Sequence, residues 1–370
     1  MKEIKTVKPK VISLFAGCGG LDLGFHRQGY SVVWANDFNE WAAATYKHNL
    51  GNVMHCGDIE KVDPSKNIPS CDLILGGFPC QDFSMIWKRP GLNGERGNLY
   101  KSFLRFVAAK KPKAFVAENV KGLLTANNGR AIEQIVTDFE SICPGYIVKP
   151  KLYNFADYGA PQFRERVLIV GIRIDTGFDF YHPKPTHGPR GAKPYVTAGD
   201  ALKGAEKVKF NNEKMKIAPK TVKMLQLISE GGNFTDVPVE SPYYVKGMIS
   251  HVYRRIHRGE PAKTIIAAGG GGTWGYHYPE PRPLTNRERA RLQSFPDDFV
   301  FLGSVAEVRR QIGNAVPPQG VSELAKALMP LFTGEYDPVD LSSVYSKFKD
   351  IPVKKRMEYI VEEQTLVGTV

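Results

Sequence analysis

Cysteine is scarce in this chain: there are five in 370 residues, Cys18, Cys56, Cys71, Cys80 and Cys143, all in the first half and none in a Cys-x-x-Cys pair. That spacing indicates neither a disulfide framework nor a zinc site. No apolar run reaches the length of a membrane-spanning helix, and the lysine-bearing start, Met1 to Lys10, is not followed by the apolar segment of a secretory leader. No internal repeat or low-complexity tract is evident beyond the run Gly269 to Gly272. Acidic residues are in deficit, 38 against 50 Lys and Arg, a formal charge of +12. These absences describe a soluble protein of a reducing compartment, with no metal and no membrane partner. Its surface field attracts a polyanion, nucleic acid first, although charge excess by itself also fits a basic enzyme that binds none.

What is present is length enough for one large domain and a smaller one. Strand-like apolar runs at Val11 to Phe15, Val32 to Ala35, Asp72 to Leu75, Ala114 to Ala117, Ile147 to Leu152 and Val167 to Ile174 alternate with segments of helical spacing. The latter are Leu21 to Gln28, Glu40 to Asn49, Leu99 to Ala109 and Arg130 to Ile142. The alternation predicts an α/β, Rossmann-like domain built on a parallel sheet with helices on both faces. After Arg173 the texture changes to Pro, Gly, Lys and Tyr without long periodic segments, as far as about Pro283. Between Phe178 and Arg282 there are 16 Lys and Arg against 9 Asp and Glu, so over half of the net charge lies there, mixed with aromatics. That mixture suits a nucleic-acid face. The end of the chain, Gly334 to Val370, reads either as a helix around Val344 to Glu363 or as a solvated tail.

Phe15-Ala16-Gly17-Cys18-Gly19-Gly20-Leu21 falls between the first strand and the first helix, where glycines let the backbone turn tightly against a ligand. Asp37 ends the second strand 20 residues after Gly17, a position from which a carboxylate accepts from ribose hydroxyls. The two together point to a nucleoside-type ligand. A dinucleotide fits less well, since the third fingerprint glycine is replaced by Asp22. Phe38 is placed to stack on an adenine ring, or is a helix-packing aromatic. Asp58, in Gly57-Asp58-Ile59 after a short third strand, is placed to accept from an adenine amino group, or is a cap.

Gly76-Gly77-Phe78-Pro79-Cys80-Gln81-Asp82-Phe83-Ser84 follows the strand at Asp72 to Leu75, and Glu118-Asn119-Val120 follows the strand at Ala114 to Ala117. A thiol and a carboxyl therefore share one sheet edge, where reacting groups collect in open α/β sheets. Covalent chemistry with acid assistance is the expectation. An isolated cysteine is more commonly a buried, inert thiol.

These residues resemble the catalytic motifs of the DNA (cytosine-5)-methyltransferases. Further pieces follow in the family's order: Arg96-Gly97-Asn98-Leu99-Tyr100, Gln162-Phe163-Arg164-Glu165-Arg166, Arg282-Pro283-Leu284-Thr285-Asn286-Arg287-Glu288 with Arg291 to Pro296, and Gln311-Ile312-Gly313-Asn314-Ala315-Val316-Pro317. They run from Phe15 to Val316. Departures are Asp37 where Glu is usual and Phe38 where Trp is frequent.

The resemblance implies S-adenosyl-L-methionine as cofactor, held by Phe15, Ala16, Gly17, Cys18, Gly19, Gly20, Leu21, Asp37, Phe38, Asp58, Ile59, Pro79, Leu99, Asn314 and Val316. It implies that Cys80 adds to C6 of a cytosine rotated out of duplex DNA, that Glu118 holds the N3 and amino edge, and that Asn119 braces the loop. Arg166 would polarise O2, and Arg164 would contact phosphate or support the site; the bland reading of either is an ordinary salt bridge. Met85 to Glu95 would close over DNA. DNA contacts fall to Gln81, Ser84, Lys88, Arg89, Arg254, Arg255, Thr264, Gly269 and Gly270. The expected organisation is a catalytic and cofactor-binding domain over residues 1–176, a target-recognition domain over 177–306, a return segment over 307–335 and a tail or helix over 336–370. A monomer in the bacterial cytoplasm, acting beside a companion restriction endonuclease or alone in epigenetic marking, is the expected setting.

Three other readings differ in substrate or in activity. The tRNA-acting branch of the family has a second Pro where this chain has Phe78. A catalytically silent DNA-binding module would lack Cys80, Glu118 or the glycine loop, and none is missing. An amino-group methyltransferase needs a Pro-Pro-aromatic motif, and Ser241-Pro242-Tyr243 lacks its second proline.

Overall fold

The computed structural model describes residues 8–79, 99–247, 252–267, 275–348 and 351–357. Seven strands form one sheet in the order β3-β2-β1-β4-β5-β7-β6. They are β1 (Lys10–Leu14), β2 (Ser31–Asp37), β3 (Met54–Cys56), β4 (Leu73–Gly76), β5 (Ala114–Val120), β6 (Tyr146–Asn154) and β7 (Glu165–Arg173). Helices α1 (Gly20–His26), α2 (Glu40–Leu50), α3 (Leu99–Lys110) and α4 (Arg130–Glu140) connect them.

Alternation along each strand divides the core in two. Val11, Leu73, Leu75, Val116, Leu168 and Val170 face a layer containing Leu21 and Phe25 of α1 and Leu324 and Leu328 of a later helix. Ile12, Leu14, Ile74, Phe115, Ala117 and Ile169 face the opposite layer, with Phe103, Phe106 and Val107 of α3 and Ile132, Ile135 and Phe139 of α4. Strands covered on both faces read as continuous apolar runs, which is why these segments stand out in the sequence.

The expected parallel sheet is corrected at one edge. Strands β3 to β5 are parallel, but β7 runs antiparallel to both β5 and β6. Only residues 155–164 link β6 to β7, fewer than a parallel crossover needs. The chain therefore turns back and fills the slot between β5 and β6.

Beyond β7 no further strand is named among the described residues, and the regular elements up to residue 285 are short, with α5 (Ala198–Leu202) and α6 (Pro219–Gln226) the main ones. A small core of Met224, Leu225, Ile228, Phe234, Val237, Val252 and Tyr276 holds this region together. Helix α7 (Asn286–Leu292) opens with a capping box, Thr285 and Glu288 exchanging side-chain and backbone hydrogen bonds. Its Arg287 is fully buried and donates to the carbonyls of Phe210, Pro296 and Phe299. Arg282 grips both oxygens of Glu288 at 2.8 Å. Helices α8 (Val305–Asn314) and α9 (Ser322–Thr333) return the chain to the sheet.

Among the described residues, the end of the chain as far as residue 357 is two short helical pieces rather than one helix from Val344. Helix α10 (Leu341–Phe348) is followed by a helical turn at residues 353–357 that docks on α4. Val353 joins the core, its N–H donates to Glu133, and Arg356 pairs with Glu140 at 2.6 Å, both side chains 8% exposed. Residues 358–370 lie outside the described residues.

Asp22, which displaces the third fingerprint glycine, is wholly buried and accepts from the Ser13 hydroxyl at 2.6 Å and the Tyr46 hydroxyl at 2.7 Å. Burial pushes its carboxyl up to about 6, against those two hydrogen bonds. The folded state thus keeps a proton that the unfolded chain releases near its ordinary value of about 3.9. The stabilisation belonging to the protonated form is complete below that value and is lost as pH rises to about 6. We expect the stability difference between wild type and Asp22→Asn to fall by about 3 kcal/mol from about pH 4 to about pH 6 and then level off. Urea unfolding across this range checks it, and a flat difference would show an unperturbed carboxyl.

Candidate active site

The glycine loop, Asp37, Asp58, Glu118 and Arg166 follow or end strands at one edge of the sheet, where β1 to β5 end and antiparallel β7 begins. Phe15 takes a left-handed φ of 54° and Gly17 one of 56°. A Cβ added at Gly17 would meet nothing within 4 Å, so this part of the loop borders open space. The N–H of Gly17 donates to Asp37 Oδ2 at 2.8 Å, and Asp37 Oδ1 accepts from Asn39 N at 2.9 Å. Burial holds the Asp37 carboxyl above its ordinary range despite these amide donors. Phe38, next in the chain, is 76% exposed. An open backbone cradle, a carboxylate tied to it and an uncovered aromatic face together fit a nucleoside such as that of S-adenosyl-L-methionine.

Other expected cofactor groups have different surroundings. The Cys18 thiol points into the core, 3.8 Å from the Gln311 carbonyl, and burial pushes it up to about 12. Leu21 and Ile59 are also core side chains. Among these three the ligand has only backbone to meet. Asp58 is exposed and caps the short turn that follows, accepting from Glu60 N at 3.0 Å, which is the alternative the sequence left open. Ala16 accepts from Gly19 N at 2.9 Å, closing the loop on itself. Gly19 and Gly20 serve packing: a Cβ at Gly19 would lie 2.3 Å from Leu50, and one at Gly20 would lie 2.4 Å from the Val316 carbonyl. Pro79 and Asn314 are exposed and Leu99 is half-buried.

At the end of β5, Glu118 Oε1 meets Arg166 Nε at 2.9 Å, with both side chains mostly buried. The register explains the meeting, since Val120 pairs with Arg166 only because β7 runs backwards. Burial raises the Glu118 carboxyl above its ordinary value, with Arg166 and then Arg164 pulling the other way. The carboxyl is thereby poised to share a proton with a base edge. Gly77 leaves room for it, because a Cβ there would fall 2.9 Å from Glu118 Oε2. Asn119 donates to the Phe78 carbonyl at 2.9 Å, tying the end of β5 to the segment that leads into Cys80. Cys80 itself, with Gln81, Ser84, Lys88 and Arg89, lies outside the described residues, as do Gly269 and Gly270.

Of the two roles open to Arg164 its partners fit support of the site, and the expected DNA contact at Arg255 is corrected. Arg164 is 2% exposed and donates to the carbonyls of Ile265 at 3.1 Å and Gly313 at 2.9 Å, so it braces the interior and reaches no phosphate. Burial and the neighbouring Arg166 push it down to about 9, still protonated at neutral pH. Arg255 spends its guanidinium on the carbonyls of Leu225, Ile228, His277 and Tyr278. Thr264 is exposed, but its hydroxyl donates to the Phe163 carbonyl at 2.8 Å. Arg254 is half-buried. Lys263, which the sequence did not single out, lies over the Phe163 ring at 5.3 Å, and Arg258 lies over Tyr278 at 4.8 Å. Among the described residues no group of three or more His, Cys, Asp or Glu is placed to hold a metal, and no helix is long and apolar enough to cross a membrane.

The chain is similar to known proteins over nearly its whole length. The family model for C-5 cytosine-specific DNA methylase matches residues 9–329. The chain is 67% identical to the Type II methyltransferase M.NgoFVII of Neisseria gonorrhoeae, over 95% of each chain. It is 38% identical to the Type II methyltransferase M.BbvI of Brevibacillus brevis, over 94% of this chain and 98% of the relative. Among solved structures, a putative DNA modification methyltransferase from an Escherichia coli prophage superposes with a TM-score of 0.69 at 25% identity, over 88% of this chain and 99% of that one.

The two loop glycines are expected to fail differently. Gly20→Ala drives a methyl into a backbone carbonyl, costing about 1–3 kcal/mol of stability. Gly17→Ala meets no atom, so its cost is limited to backbone strain of about 1–2 kcal/mol, but the methyl enters the open cradle. Thermal unfolding and titration with S-adenosyl-L-methionine should therefore show the larger affinity loss in Gly17→Ala and the larger stability loss in Gly20→Ala.

Proposed function

Because the chain belongs to the C-5 cytosine-specific DNA methylase family, we propose that it methylates C5 of one cytosine, rotated out of a specific duplex DNA sequence, through covalent addition of Cys80. The enzyme is a DNA methyltransferase of the restriction-modification type, and its cofactor is S-adenosyl-L-methionine. The observation that carries the finer reading is the largely buried Glu118–Arg166 pair at the end of β5, bordered by the Gly77-Phe78-Pro79 segment that leads directly to Cys80.

Cytosine C5 is too weak a nucleophile to accept a methyl group unaided. The Cys80 thiolate adds to C6, and the electron pair of the C5–C6 bond moves toward C5. Glu118, with its raised carboxyl, shares a proton with N3 as charge develops there, while Arg166 orients Glu118 and faces O2. The bound cofactor supplies the methyl group as a sulfonium. A base from solvent then takes the C5 proton, the C5–H electron pair re-forms the C5–C6 double bond, and the C6–S pair leaves on sulfur, freeing the Cys80 thiolate. Asp37, fixed by the Gly17 amide, holds the nucleoside end of the cofactor, and the uncovered Phe38 ring stacks on its base. Basic and aromatic side chains such as Lys263 and Arg258 supply backbone affinity, which falls with salt. We further propose that the protein acts as a monomer in the cytoplasm and protects the sites cut by a companion endonuclease, as the Type II names of its relatives suggest.

Incubation with labelled S-adenosyl-L-methionine and separate pools of duplex DNA and tRNA tests this. Label is expected in DNA alone, absent with Cys80→Ala, and mapped by bisulfite sequencing to a single motif. Label confined to tRNA, or retained by Cys80→Ala, would overturn it. In the same assay Gly77→Ala should lower turnover on the order of 10²-fold by displacing Glu118, while its melting temperature stays close to that of wild type.

A further inference from the structure

Two glutamines, neither exposed to solvent, form a hydrogen-bonded chain across the middle of the molecule. Gln162, four residues before Arg166, accepts from the Ile265 amide through Oε1 at 2.7 Å. Its Nε2 donates to Gln293 Oε1 at 2.9 Å and to the Leu292 carbonyl at 3.2 Å. Gln293, just after α7, passes the chain on through Nε2 to the carbonyls of Ile312 at 2.6 Å and Ala315 at 3.4 Å. Every bond runs in one direction, from the segment around Ile265 to the end of α8, and such chains polarise one another in a low-dielectric interior.

The two ends of the chain lie at different functions. Ile265 belongs to residues 262–265, which pair with the start of the catalytic β7 segment through Gln162 and Phe163. Ala315 and Val316 pack on Gly20 of the cofactor loop so closely that a Cβ there would lie 3.2 Å from the Ala315 Cβ and 2.4 Å from the Val316 oxygen. Arg164 joins the same two segments a second time, through the Ile265 and Gly313 carbonyls. A displacement of the cofactor loop therefore bears on residues 315–316, and through two parallel buried links on the segment beside Arg166.

We infer that Gln162 and Gln293 are positioning residues that couple occupancy of the cofactor loop to the placement of residues 262–265 for DNA binding. The inference rests on the DNA-methylation reading. Coupling of this kind is reciprocal, so each ligand tightens the other by the same factor. A role confined to stability would weaken both ligands, or lower the melting temperature, while leaving that factor unchanged.

The test measures DNA affinity of the full chain with and without saturating S-adenosylhomocysteine, for wild type, Gln293→Met and Gln162→Glu. Gln293→Met keeps volume and loses every hydrogen bond; Gln162→Glu keeps the acceptor for Ile265 and loses the donor to Gln293. We expect about tenfold tightening in wild type, falling to within about twofold of none in both variants, with each ligand alone bound within about threefold of wild type. Tightening preserved in either folded variant, or absent from wild type, overturns the inference. Hydrogen exchange of the wild-type Ile265 amide needs neither variant nor DNA: S-adenosylhomocysteine alone should slow it, and an unchanged rate would overturn the inference independently. Wild-type protein that binds S-adenosylhomocysteine and not duplex DNA would instead sink the DNA-methylation reading, with the exchange experiment still reporting on the coupling.

Discussion

The antiparallel pairing of β7 with β5 is the constraint on which the site depends. Reversal of that one strand brings its first residues, rather than its last, to the sheet edge where β1 to β5 end. Arg166 then lies opposite Val120 in register and reaches Glu118 at 2.9 Å. In a wholly parallel sheet the Arg164 to Arg166 segment would open at the far edge and Glu118 would be a buried carboxylate without a counter-ion, a costly arrangement. Burial of the pair raises the Glu118 carboxyl, and the arginine keeps that rise in check.

Around this pair, polar groups are committed to interior work to a degree that composition does not suggest. Arg164, Arg255 and Arg287 all satisfy backbone carbonyls, which lets loops without regular secondary structure hold a fixed shape. In a region with few strands, guanidinium groups take over the role that a ladder plays elsewhere, since buried carbonyls need donors. The +12 charge therefore overstates the cation available to DNA, because several of its arginines face inward. Among outward cations, Lys263 rests on the Phe163 ring, and Arg258 rests on the Tyr278 ring and pairs with Glu230.

Much of the cofactor side was legible residue by residue. The glycine loop after β1 and the acid at the end of β2 have a fixed place in any sheet of this kind, and both fall where their spacing puts them, with Gly17 and Asp37 joined directly at 2.8 Å. Which side chains of that loop meet the ligand was not legible. Cys18 and Leu21 are core side chains, Leu21 on the inner face of α1 and Cys18 against the Gln311 carbonyl. Gln162 and Gln293 stand 131 residues apart, and nothing local to either foretells a hydrogen bond between them. Nothing local to Thr264 likewise foretells that its hydroxyl bonds the Phe163 carbonyl, 101 residues away.

The sequence by itself determined the α/β class, most strand positions, the cofactor loop and the order of motifs that identifies the family, because these follow from periodicity and from residue types at short, fixed separations. The reversal of β7 was not among them, because the strand runs read from the sequence leave fourteen residues between them, and only the longer strands of the structure shorten the link to 155–164. Only the tertiary structure decided which arginines hold carbonyls, that the C-terminal turn clasps α4 through Arg356 and Glu140, and that two distant glutamines join the segment at Ile265 to the end of α8. Such pairings depend on the packing of residues more than a hundred positions apart, and the pattern of a segment carries information about its own faces but none about which distant segment will lie against them.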